Sequence, residues 1–83
     1  MSDPREEPIY RNRITVDPDI LVGKPVITGT RIPVSLILNL LAHEYTFDRV
    51  IQAYPILTAE DIRAAIAYAG ARLDRDELRS LSG

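Results

Sequence analysis

The chain has 83 residues, room for one compact domain. Ten Lys and Arg stand against twelve Asp and Glu, a net charge of −2. With no basic tail or arginine-rich stripe, this excludes strong nonspecific binding to nucleic acid through clustered cations. Cysteine is absent, so there is no disulfide framework, thiolate metal site or cysteine nucleophile, which fits a reducing cytoplasm.

Met1 to Pro8 is polar and charged, unlike a signal peptide, and is expected to be a mobile lead-in. Ile9 to Val16 reads as a short strand, with Ile14 and Val16 on one side and Thr15 on the other. Asp17-Pro18-Asp19 is a turn, because Pro fixes φ and Asp side chains bond nearby backbone N–H groups. Gly23-Lys24-Pro25 is a second break, and it lacks the further Gly and Ser/Thr of a phosphate loop. Val26-Ile27-Thr28 reads as a strand, Gly29-Thr30 as a tight turn and Arg31-Ile32 as the return. Pro33 then ends the extended segment and can open a helix.

The first helix is expected over Val34 to His43, with Val34, Ile37, Leu38 and Leu41 on one stripe and Leu36 and Leu40 outside it. Thr46 caps a second helix, Phe47 to Tyr54, whose inner face is Phe47, Val50, Ile51 and Tyr54; Pro55 ends it. Thr58 and Asp61 form a capping-box pattern for a third helix, with Ile62, Ala65, Ile66, Ala69 and Leu73 as its inner stripe. Ala64, Ala67 and Ala71 make a second strip of small residues where another backbone can approach. The helix ends near Gly70 or runs on to Leu73, and the charged Asp74 to Gly83 reads as a frayed helix and then a tail. The expected fold class is mainly α: a helix-turn-helix three-helix bundle preceded by a short β arm. Residues 9–73 form its single domain.

Hydrophobic residues make up 46% of the chain, and the first helix is apolar nearly all round. A chain this small has little core with which to cover such a helix, so a second subunit is the expected cover. Ile27 and Ile32 of the hairpin, with Leu36 and Leu40, are the expected dimer seam.

Two blocks are distinctive. One is Gly23-Lys24-Pro25-Val26-Ile27-Thr28-Gly29-Thr30-Arg31-Ile32-Pro33-Val34; the other is Tyr54-Pro55-Ile56-Leu57-Thr58-Ala59-Glu60-Asp61-Ile62-Arg63-Ala64-Ala65, followed by Tyr68-Ala69. Together they closely resemble the bacterial domain-of-unknown-function family numbered 433, over about Arg13 to Leu73. The resemblance implies a homeodomain-like helix-turn-helix fold with a β arm, usually dimeric. It also implies a role as a VapB-type antitoxin of a type II toxin–antitoxin pair, whose partner resembles a small PIN-like ribonuclease. One departure stands out. The family usually places a Gly after the first helix, where this chain has Ala42-His43-Glu44-Tyr45.

Four residues are candidates for gripping a partner. Arg31, beside Thr30, carries a planar five-donor fork suited to carboxylate or phosphate; its other reading is a capping or ion-pairing role within its own chain. Lys24 is a weaker case, and Tyr68, off the inner stripe of its helix, is a candidate anchor. If the bundle binds DNA, Arg49, Gln52 and Arg63 are the available contacts, although Glu60 and Asp61 at the start of the third helix oppose phosphate. His43 suits a helix C-terminus. Asp17, Asp19, Glu44 and Asp48 are the only conceivable carboxylate cluster, and turn or surface roles account for each. No cofactor, metal or catalytic set is expected. The leading reading is therefore an antitoxin-like binding protein, not an enzyme. The alternatives are a stand-alone DNA-binding regulator and a non-enzymatic structural dimer.

Overall fold

Val26 and Ile27 form β2 (Val26–Ile27) and are both buried, because backbone flanks them on two sides. On one side lies the antiparallel β1 (Ile14–Thr15), with Ile14 opposite Ile27 and Thr15 opposite Val26. On the other side the chain returns through a tight turn. Thr30 N–H donates to Ile27 O at 3.0 Å, Ile27 N–H donates to Ile32 O at 3.0 Å, and Val26 bridges to Pro33. Gly29 takes φ 81° at that turn, a value an L side chain resists. The computed structural model describes residues 9–82, with side chains described through residue 75. The lead-in expected over Met1 to Pro8 lies outside the described residues.

The arm is shorter than expected. In place of a strand over 9–16, Arg13 N–H donates to Tyr10 O at 3.0 Å and Asn12 adopts φ 66°, so the segment before Ile14 is a turn. Pairing stops at Thr15, and Val16 is exposed while Ile14 packs against the core.

Three helices follow: α1 (Val34–Ala42), α2 (Phe47–Ala53) and α3 (Ala59–Ser82). α1 starts without a side-chain cap; Pro25 O accepts from Val34 N–H at 2.9 Å instead, so the hairpin itself satisfies the helix start. Thr46 Oγ1 accepts from Arg49 N–H at 3.1 Å to cap α2. At α3 the capping box is complete: Asp61 N–H donates to Thr58 Oγ1 at 3.2 Å, and Thr58 N–H donates to Asp61 Oδ2 at 3.0 Å. Ile37, Val50, Leu57, Ile62 and Ala65 meet at the centre with Ile27 and Val34. Leu57, in the α2–α3 connection, is 2% exposed although it belongs to no helical stripe.

α3 departs from expectation in two ways. It passes Gly70 and Leu73 without a break and continues to Ser82, so the charged segment extends the same helix in place of a frayed end and a tail. One glycine costs a helix only about 1 kcal/mol, and the Leu, Arg and Glu residues after it are strong helix formers. Its covered face is also rotated: Ile66 is 43% and Leu73 62% exposed, while Ala64 is fully buried. The arm causes this, because Arg13 pairs with Asp61 and Tyr10 packs on Tyr68, so β1 and the helices share α3's inner side.

The turn after α1 resolves the departure at Ala42-His43-Glu44-Tyr45. Tyr45 N–H donates to Leu40 O and Glu44 N–H to Leu41 O, both at 3.1 Å, with Glu44 at φ 69°. This is the Schellman arrangement, with Glu44 in the left-handed position that glycine ordinarily fills. His43 Nδ1 also donates to Asn39 O at 2.7 Å, adding a side-chain cap at the same end. Glu44→Gly is expected to raise the unfolding free energy by about 1 kcal/mol, by removing left-handed strain. Chemical denaturation checks this, and an unchanged or lower midpoint contradicts the strain argument.

Candidate protein-binding surface

α3 outruns the rest of the domain. Residues 70–75 are all exposed, while Tyr68 and Ala69 are half-buried against the body. Where α3 leaves the bundle, its residues Tyr68, Ala69, Arg72 and Leu73 face Val34, Ser35 and Leu38 of α1 across a groove of about 600 Å³. Lys24 and Pro25 also line it. The surface is apolar, and its two charged groups are both cations, Lys24 and Arg72. Neither makes an ion pair among the described residues. Tyr68 is fixed at the groove wall by an edge-to-face contact with Tyr10, at 5.5 Å between ring centroids.

Lys24 also borders a second depression, of about 490 Å³, with Leu21, Val22, Arg31 and Pro33. The two hollows share this lysine as a lining residue. Around Leu21–Gly23 the backbone turns left-handed: φ is 48° at Leu21, 56° at Val22 and 80° at Gly23. Only glycine is at ease there; each L residue costs about 1–2 kcal/mol. Val22 is β-branched and 95% exposed, so its side chain gains almost nothing within the chain.

The residues expected at functional positions divide clearly. Lys24 and Arg31 are exposed on this surface and Tyr68 lines it. Thr30 serves the hairpin: its hydroxyl donates to Ile27 O at 2.8 Å and accepts from Ile32 N–H at 3.0 Å. Of the four expected seam residues, only Ile27 is buried. Ile27 is 3% exposed, at the core's centre, so it has no surface left for a second subunit. Ile32 and Leu40 pack against that core, and Leu36 is half-buried outside it. α2 and α3 of its own chain pack against α1, while Leu36, Leu38, Leu40 and Leu41 remain half-buried.

Arg49, Gln52 and Arg63 are all exposed. Arg49 lies over the Tyr45 ring, 4.2 Å from its centroid, and Arg63 donates to Glu60 at 3.2 Å. Asp17, Asp19, Glu44 and Asp48 do not gather: among the described residues no group of three or more His, Asp or Glu is placed to hold a metal. Nor is any described helix long and apolar enough to cross a membrane.

Sequence reading missed Val22, Arg72 and Leu73 as surface residues. Periodicity puts Leu73 on the inner stripe, because it cannot tell where a helix leaves its neighbours. Val22 gave no signal beyond its place before Gly23.

Residues 14–69 match the family described as "Protein of unknown function (DUF433)". A Sinorhizobium fredii protein named "Uncharacterized protein y4eO" is 44% identical over 61 residues, which are 74% of this chain but 28% of that protein. The chain therefore spans under a third of the curated relative it matches. A crystal structure of a DUF433 member protein from Anabaena variabilis superposes with a TM-score of 0.71 at 28% identity, covering 90% of this chain and 73% of that one.

Proposed function

The chain belongs to the DUF433 family, and from that premise we propose that it is an antitoxin-like binding protein that neutralises a PIN-like ribonuclease toxin in the cytoplasm. One observation carries the reading: the apolar groove between α1 and α3, bordered by two cations, Lys24 and Arg72, that make no ion pair among the described residues. Its volume lies in the range of binding sites, and its chemistry suits an apolar segment flanked by carboxylates. A ribonuclease with an acidic metal site offers such carboxylates.

A homodimer remains part of the proposal, with its seam drawn from Ile32, Leu36 and Leu40, which keep exposed surface, and without the buried Ile27. DNA binding is the lesser part, as autoregulation of the pair. Arg49, Gln52 and Arg63 are accessible, but Glu60 stands beside Arg63 at the helix start. Autonomous DNA binding predicts affinity that falls steeply with salt, by a log–log slope of about −0.9 per phosphate contact.

The test is co-expression with the product of the adjacent reading frame. The expected result is a stable complex, loss of that product's ribonuclease activity, and weaker binding by Arg72→Glu. If the two proteins elute apart and the ribonuclease stays active, the antitoxin reading fails.

A further inference from the structure

We propose that the Leu21–Val22 tip is a preformed plug that enters a pocket on a protein partner, apolar at its floor and carrying carboxylates at its rim. This rests on the protein-binding reading and adds a second contact to it, away from the α1–α3 groove.

The tip is rigid by construction. Ile20 N–H donates to Asp17 O at 2.9 Å, Gly23 N–H to Ile20 O at 3.0 Å, and Lys24 N–H to Leu21 O at 3.2 Å. Asp17 Oδ1 accepts from Asp19 N–H at 2.9 Å, bracing the preceding turn. These bonds hold two non-glycine residues left-handed in succession. A Gly or Asn at position 22 would satisfy the same backbone at lower cost. Valine there is unfavourable in the free chain and nearly wholly in water, so its side chain stabilises only a state in which something else covers it. Strain held at an overdetermined turn is a recurrent mark of binding elements.

The surroundings define the partner's chemistry. Lys24 and Arg31 flank the tip, no carboxylate lines the hollow, and neither cation makes an ion pair among the described residues. Arg31 presents a fork that matches a carboxylate edge to edge. A single apolar side chain on a stiff turn fits a pocket better than a lipid surface, which rewards a broad apolar face. Because Lys24 borders both hollows, tip and groove can engage one partner together.

The probe is the protein encoded by the adjacent reading frame, titrated calorimetrically against wild type, Val22→Gly, Arg31→Glu and Leu73→Glu, with thermal unfolding of each. Val22→Gly is expected to melt higher than wild type yet bind about ten-fold or more weakly, since a buried valine side chain is lost. Arg31→Glu is expected to bind more weakly without melting lower. If Val22→Gly binds as wild type does while Leu73→Glu does not, the plug is refuted and the protein-binding reading stands. If no protein binds at all, both fall. Vesicles rich in phosphatidylglycerol serve as a control: binding to them that depends on Val22 also overturns the proposal.

Discussion

Leu73→Glu is expected to weaken partner binding by about 100-fold while leaving the unfolding free energy within about 0.5 kcal/mol of wild type. Leu73 is 62% exposed, so the free chain loses little when it changes. Leu and Glu have similar helix propensities, and α3 should persist. In a complex the balance differs. The groove places Leu73 beside Ala69 and opposite α1, where a docked apolar segment would surround it. A carboxylate there is desolvated and also repels acids drawn by Lys24 and Arg72. Calorimetric titration and urea denaturation on the same samples separate the two effects. Parallel loss of affinity and stability makes Leu73 a folding residue; no loss of either places the contact elsewhere.

Asp61→Ala is expected to have the largest effect on stability, about 3 kcal/mol, a large fraction of what a domain this small has. One carboxylate performs two tasks. Oδ2 closes the capping box with Thr58 N–H, and Oδ1 accepts from Arg13 Nη1 at 3.0 Å, 48 residues back in sequence. The Asp61 side chain is 12% exposed against 42% for Arg13, so the pair is half-screened. The cap contributes about 1 kcal/mol. The remainder comes from freeing the arm, which also carries Tyr10 onto Tyr68. Asp61→Asn keeps the cap's acceptor and should lose about half as much. Arg13→Ala, measured in a double-mutant cycle with Asp61→Ala, isolates the ion pair. Equal losses for Asp61→Asn and Asp61→Ala would assign the whole effect to charge, and a loss under about 1 kcal/mol would show that the arm is not latched this way.

The helices were legible because their signals are local. Thr46, Thr58 and Asp61 mark two starts, Pro55 marks an end, and 3.6-residue spacing gives Val34, Ile37, Val50, Ile62 and Ala65 as core. What escaped depends on contacts distant in sequence. Nothing near Ile66 says that Arg13 and Tyr10 will turn α3 and expose it. Nothing near Leu40 says that it will pack against the core of its own chain, while Leu36 stays half-buried outside that core. The family's missing glycine was visible in sequence, but only the backbone shows Glu44 accepting the left-handed position in its place. For the candidate site, Lys24, Arg31 and Tyr68 were foreseeable from residue type. The groove itself was not, because it exists only where α3 passes beyond α1.

The most direct test is a ¹H–¹⁵N titration of the labelled chain with its co-expressed partner. Perturbations are expected at 21–25, 31, 34–38 and 68–73, with Arg49, Gln52 and Arg63 unmoved at saturation. Perturbations centred on Arg49, Gln52 and Arg63, with the groove residues silent, would contradict the account.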